Sequence, residues 1–304
     1  MKLLTVSPAP HIHGKATTSG IMRDVLIALA PAAVASAVIF GLRALLVIAV
    51  CVASSVVFEW GYEKLTKRDN TVRDMSACVT GVLLAYNLPV TIPLWQAVVG
   101  SAVAIILVKQ LFGGIGRNFA NPAITARIFM ALAFAGTMSN FTYDAVTSAT
   151  PLVYLQNGAF SFSYSVRDLF LGTHAGVLGE TCAVALIIGF VYLLIRRVIS
   201  WETSVVYVVV VFALSAAFGW DPVRSILSGG LMLGAIFMAT DYVTAPMTFW
   251  GRVIFGAGCG VLTVIIRRYG SYPEGVSFSI LLMNILTPYI NKLTMSRPFG
   301  GART

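Results

Sequence analysis

The chain has 304 residues, of which 58% are hydrophobic and only 11% charged, with a net charge of +9 and a mean hydropathy of +0.85. A soluble domain carries roughly a quarter charged residues, so the composition excludes an ordinary soluble enzyme and defines an all-α polytopic membrane protein. The basic residues are scattered between apolar runs, which fits the positive-inside rule and argues against nucleic acid as a partner.

Residues 1–20 form a cytoplasmic N-terminal segment in which only Leu3 and Leu4 precede Pro8, Pro10, His11 and His13, so no cleavable signal peptide is expected. A transmembrane helix needs about 20 mostly apolar residues. By that template ten spans follow, at roughly 22–42, 44–62, 74–89, 94–112, 121–138, 175–195, 203–219, 225–241, 250–267 and 276–292. They divide into a first membrane half (21–138), a polar interval (139–174), a second membrane half (175–292) and a cytoplasmic tail (293–304). The third and eighth spans are short and rich in small residues, which predicts two broken helices around a central site. Asp74–Pro89 and Asp221–Asp241 stand at matching places, each followed by an apolar span and a Gly-containing turn. With five spans in each half, the second half must run inverted to the first, as in many transporters.

With the N-terminus in the cytoplasm, fifteen basic residues fall inside and five outside, the five being Arg43, Arg167, Arg224, Arg267 and Arg268. Arg127 lies within a span and needs an anionic partner, either a carboxylate or the phosphate of a bound group, or a route to the interface. Glu59 and Glu180, near span ends, are expected to reach the interface. His174 is expected to open a helix, and the single cysteines Cys51, Cys78, Cys182 and Cys259 to be inert buried thiols.

Three stretches carry candidate chemistry. Gly113–Ala123 (GGIGRNFANPA) links two spans with a turn that lacks the Walker or dinucleotide-binding pattern. Its glycines allow positive φ, and Asn118 and Asn121 either shape the turn or offer amides beside a bound ring. Asp241 is a carboxylate at membrane depth, a functional candidate by default. Asp144–Pro151 (DAVTSATP) reads D-x-x-[S/T]-[S/G]-A-T. It resembles the recognition sequence of flavin transferases, which join FMN through its phosphate to the final threonine hydroxyl. Read alone, it is equally an ordinary hydroxyl-rich turn.

Together with Ser7-Pro8…His11, Ile21–Leu29 and Asp74–Pro89, these motifs resemble the D subunits of the Rnf complexes, ion-translocating ferredoxin:NAD+ oxidoreductases. The B subunits of the Na+-translocating NADH:quinone reductases are their relatives, and the short N-terminal segment here is closer to the Rnf form. Ser148 stands where glycine is usual in the motif. The resemblance implies a membrane flavoprotein with FMN on Thr150. Asp144 and Thr147 would be read by the transferase, and Ser148 and Ala149 would leave room for the nucleotide. It also implies a non-covalent riboflavin in the bundle, a second flavinylated subunit and other Rnf-type partners, and a place in the bacterial inner membrane with residues 139–174 facing the periplasm. Such a subunit relays electrons and holds no complete active site. The contrasting reading is a small-solute channel or transporter of the inverted-repeat class, for which fold alone is no discriminator.

Overall fold

The computed structural model describes residues 17–143, 146–147, 152, 165–270 and 274–295. The first half begins with two long helices, α1 (Thr18–Phe40) and α2 (Leu42–Leu65). The Thr17 hydroxyl caps α1, accepting from Gly20 N–H at 3.1 Å, and Gly41 at φ +76° turns the chain sharply into α2.

Helix α3 (Ser76–Tyr86) is 11 residues long, which at 1.5 Å per residue spans about half of a ~30 Å hydrocarbon core. Met75 at φ +64° starts it, and Asn87-Leu88-Pro89 ends it because proline disfavours helix in its predecessor. Helix α4 (Leu94–Gln110) becomes π-helical from Val103 onward. The following turn puts Gly113, Gly114 and Gly116 at positive φ, as the sequence predicts. Helices α5 (Pro122–Ala133) and α6 (Ala135–Met138) complete the half.

Thr142–Tyr143 (β1) pairs antiparallel with Val146–Thr147 (β2), with Thr142 opposite Thr147. Helix α7 (Val166–Leu171) is closed by a Ser165–Asp168 capping box. The second half holds α8 (Ala183–Ile195), α9 (Trp201–Ala217), α10 (Pro222–Leu227), α11 (Leu231–Met238, π-helical from Gly234), α12 (Phe249–Tyr269) and α13 (Val276–Thr294).

The eighth segment, read as 225–241 and expected to be broken, is interrupted at Ser228-Gly229-Gly230. The segment read as 175–195 departs from expectation: it is helical only from Ala183, and residues before it form a buried loop. The loop replaces helix because it meets the broken end of α3. Gly179 N–H donates to Tyr86 O at 3.0 Å and Leu178 N–H to Leu88 O at 3.2 Å. Carbonyls orphaned by the break are thereby satisfied away from water.

Helix α2 packs on α3 and α4, and α9 packs on α10 and α12. Across the middle, α1 packs on α8 and α5 on α13. The interior is made of residues such as Leu29, Val47, Leu84, Tyr86, Ile124, Tyr207 and Phe255. Large apolar side chains also cover the outside, with Val38, Leu42 and Leu65 more than 80% exposed. In a water-soluble monomer so much contiguous apolar surface would mark an interface; around a helical bundle it is the lipid-facing shell.

Candidate functional site

The tips of the two broken helices meet in the bundle. Asn87, just past α3, sends its Nδ2 toward Met238 Sδ at 3.8 Å, at the end of α11. Asn121 Nδ2 lies 3.5 Å from the Met238 carbonyl. Asn121 Oδ1 meanwhile caps α5 by accepting from Ala123 N–H at 3.0 Å, and Pro122 occupies the first turn, as its sequence position predicts. Two cavities open beside this junction.

The larger, about 330 Å³, is lined by Arg127, Glu180, Glu274, Phe141, Leu152 and Phe278 among others. Arg127 is the polar centre of its wall. Its Nη1 donates to Asn87 Oδ1 at 2.7 Å and to Ser277 Oγ at 3.2 Å, and lies 2.9 Å from Glu180 Oε1; its Nη2 pairs with Glu274. Of the partners the sequence allows Arg127, the structure supplies carboxylates. Glu180 is therefore not an interfacial charge. It is 8% exposed and held by Arg127, because a carboxylate at this depth is stable only when paired. His174 is likewise corrected: it is buried in the loop ahead of α8, with Nδ1 3.1 Å from Ala175 O, and opens no helix.

The smaller cavity, about 90 Å³, gathers Asn118, Asn121 and Asp241 with Ser76, Thr80, Lys109 and Thr240. Three of the sequence-nominated residues thus share one wall system, while Arg127 faces the other cavity. Asn118 Oδ1 is buried and has no hydrogen-bond partner among the described residues. Asp241 is half-buried and accepts from Thr244 Oγ1 at 3.2 Å.

Next to this cavity, Lys109 Nζ donates to Glu59 Oε1 at 2.5 Å and to Ser76 Oγ at 2.5 Å. Glu59 is fully buried rather than interfacial, a second correction with the same cause. Sequence reasoning also missed Glu274, whose only signal was an acidic residue in the turn before α13.

Outside the membrane helices, Asp168 is held below the usual carboxylate range by hydrogen bonds from Ser165 and Thr173. Asp144, Ser148, Ala149 and Thr150 lie outside the described residues, and of Thr147 only the backbone pairing in β2 is described. Leu152, two residues past Thr150, is buried against the larger cavity.

Broken helices and buried ion pairs around two internal cavities define a polytopic α-helical membrane protein with its polar chemistry at the bundle centre. The chain belongs to the NQR2, RnfD, RnfE family, whose model matches residues 5–300. It is 48% identical over 303 residues to the D subunit of the Na(+)-translocating ferredoxin:NAD(+) oxidoreductase complex of Acetobacterium woodii, covering 98% of this chain and 95% of that protein. Identity to the D subunit of the proton-translocating ferredoxin:NAD(+) oxidoreductase complex of Clostridium ljungdahlii is 40% over 322 residues, covering 99% and 97%. For the D subunit of the ion-translocating oxidoreductase complex of Halorhodospira halophila it is 33% over 338 residues, covering 97% and 95%.

Proposed function

We propose that this chain is the membrane flavoprotein subunit of an ion-translocating ferredoxin:NAD+ oxidoreductase complex, carrying FMN in phosphoester linkage to Thr150 and passing electrons between partner subunits. The observation that carries the reading is the D-x-x-T-S-A-T sequence ending at Thr150, in a chain whose relatives are named subunits of such complexes. Leu152, which follows the motif by two residues, stands in the wall of the larger cavity. That cavity's volume of about 330 Å³ falls in the range of ligand pockets. Its apolar faces, Ile128, Met138, Phe141 and Phe278, suit a flat ring, and Arg127 supplies the polar group that fixes orientation. FMN contributes one- and two-electron chemistry; the protein contributes position and electrostatics.

Asn118, Asn121 and Asp241 are assigned to a second, non-covalent flavin such as riboflavin. The unpartnered Asn118 Oδ1 and the neighbouring amide and carboxyl groups fit the donor–acceptor edge of such a ring. At about 90 Å³ the smaller cavity encloses that edge only, so the rest of the ring would lie along its open side. Ten spans in two inverted halves, a bacterial inner-membrane location, a periplasmic flavin loop, a second flavinylated partner subunit and a dedicated flavin transferase complete the reading. The repeated packing supports the two halves: α2 on α3 and α4 in one, α9 on α10 and α12 in the other.

The test is in-gel fluorescence of the chain after denaturation. Wild type and Thr147→Val retain a fluorescent band, Thr150→Ser retains a weak one, and Thr150→Val loses it while still inserting. An FMN mass on a peptide lacking Thr150 overturns the assignment.

A further inference from the structure

The cluster beside the smaller cavity is more than an ion pair. Glu63, Thr71, Glu59 and Lys109 form a continuous hydrogen-bonded chain from the surface of the 66–75 segment into the bundle. At its outer end, Thr71 is exposed, and its hydroxyl donates to Glu63 Oε1. The same hydroxyl lies 3.4 Å from Glu59 Oε1. Gln110 Nε2 ties the two carboxylates together, at 3.0 Å from Glu59 and 3.4 Å from Glu63. Glu59 Oε1 then meets Lys109 Nζ at 2.5 Å, and Lys109 and Ser76 stand in the cavity wall. The second oxygen, Glu59 Oε2, is buried with no hydrogen-bond partner among the described residues, so it is open to a proton. A network serving stability alone has no need of two carboxylates, one of them half-satisfied, around a single lysine.

We propose that Glu63, Thr71, Glu59 and Lys109 form a proton relay from the aqueous face of segment 66–75 to a redox group held in the smaller cavity. The proposal rests on the assignment of a flavin to that cavity. When electrons from the partner subunits arrive there, Lys109 Nζ releases one proton across the cavity and is left neutral. Glu59, ionised in its pair with Lys109, takes up a proton from water by way of Glu63 and the Thr71 hydroxyl and passes it to Nζ. One proton enters for each one delivered, and the side chains return to their starting charges. Arg68 flanks the chain at Gln110, Asp74 joins its inner end through Ser76, Cys78 lies beside it on α3, and Asp241 lines the same cavity. The relay therefore runs between a mixed-charge surface and a carboxylate.

The experiment uses the intact complex and a pH-indicator dye to follow proton uptake on flavin reduction, together with the solvent deuterium isotope effect. Glu59→Gln keeps an acceptor for Lys109 but cannot carry a proton. It is expected to slow uptake at least 10-fold with total flavin unchanged. Glu59→Asp retains uptake, and millimolar formate restores part of it in Glu59→Ala. Thr71→Val, at the exposed end, slows uptake several-fold and decides the matter should the Glu59 variants fail to insert. Wild-type uptake in Glu59→Gln and Thr71→Val, with non-covalent flavin still released on acid denaturation, overturns the relay alone. A wild-type complex that releases no non-covalent flavin from this chain overturns the relay and the ring site together.

Discussion

Arg127 was legible from sequence as a charge that had to be neutralised, because a guanidinium one and a half turns into an apolar helix is costly without a partner. Its partners were not legible: Glu180 and Glu274 come from two distant turns whose approach depends on the tertiary fold. Glu59 was misread for the same reason, since Lys109 reaches it only through the packing of α2 on α4. Removing one member of a buried charge cluster costs about 3–5 kcal/mol. Arg127→Met is therefore expected to lower thermal stability in detergent sharply, and adding Glu180→Gln to recover part of the loss by leaving one fewer unpaired carboxylate. A double variant less stable than Arg127→Met would show that the cluster is not held by charge pairing. At the surface, Asp168 is expected to keep α7 capped as pH falls from 8 to 5. Its folded-state value lies below the ordinary 3.8, so its contribution is present above that value and lost only as pH falls through the lower one. Hydrogen exchange of the Val166–Leu171 amides should stay protected over that interval.

At the scale of elements, hydropathy found the apolar stretches and the small-residue composition marked the two that break. Asn87-Leu88-Pro89 and Ser228-Gly229-Gly230 are local stop signals, which is why both interruptions could be anticipated. The loop ahead of α8 could not be. Ala175-Gly176-Val177-Leu178 reads as the start of a helix, and its non-helical course is imposed by hydrogen bonds to the end of α3. Glycine at 179 is what permits that approach. A Cβ there would stand 2.2 Å from the Tyr86 Cβ. Gly179→Ala is expected to cost at least the roughly 1–3 kcal/mol of an overpacked core, read as a lower melting temperature and reduced folded yield. Because the clash is with the Cβ itself, Tyr86→Ala should not rescue it. Rescue would mean that the loop docks by its side chains and not by its backbone.

For the whole molecule, the sequence pattern that sets orientation becomes more consistent once burial is known. Arg267, which runs against the positive-inside bias, is 1% exposed and donates to Ser225 O at 2.7 Å and Ser228 O at 3.0 Å. It serves as an internal cap for the broken α10–α11 segment, so it carries little weight as a topogenic surface charge. Of the five basic residues assigned outside, this one therefore no longer opposes the rule. The orientation proposed above has both termini and Asp69 in the cytoplasm and residues 139–174 on the other side. Cysteine labelling tests it directly. Cys51 and Cys259 are buried, so only the half-buried Cys78 and Cys182 need replacement by serine to give a quiet background. In that background Gly158→Cys should react with an impermeant maleimide on intact cells or right-side-out vesicles. Asp69→Cys, on the exposed segment after α2, should react only after the membrane is opened. The reverse pattern would invert the bundle, set the Thr150 loop in the cytoplasm, and remove it from any extracytoplasmic transferase. Labelling of both sites from outside would instead break the odd number of crossings between Asp69 and Gly158 on which the inverted five-span halves depend.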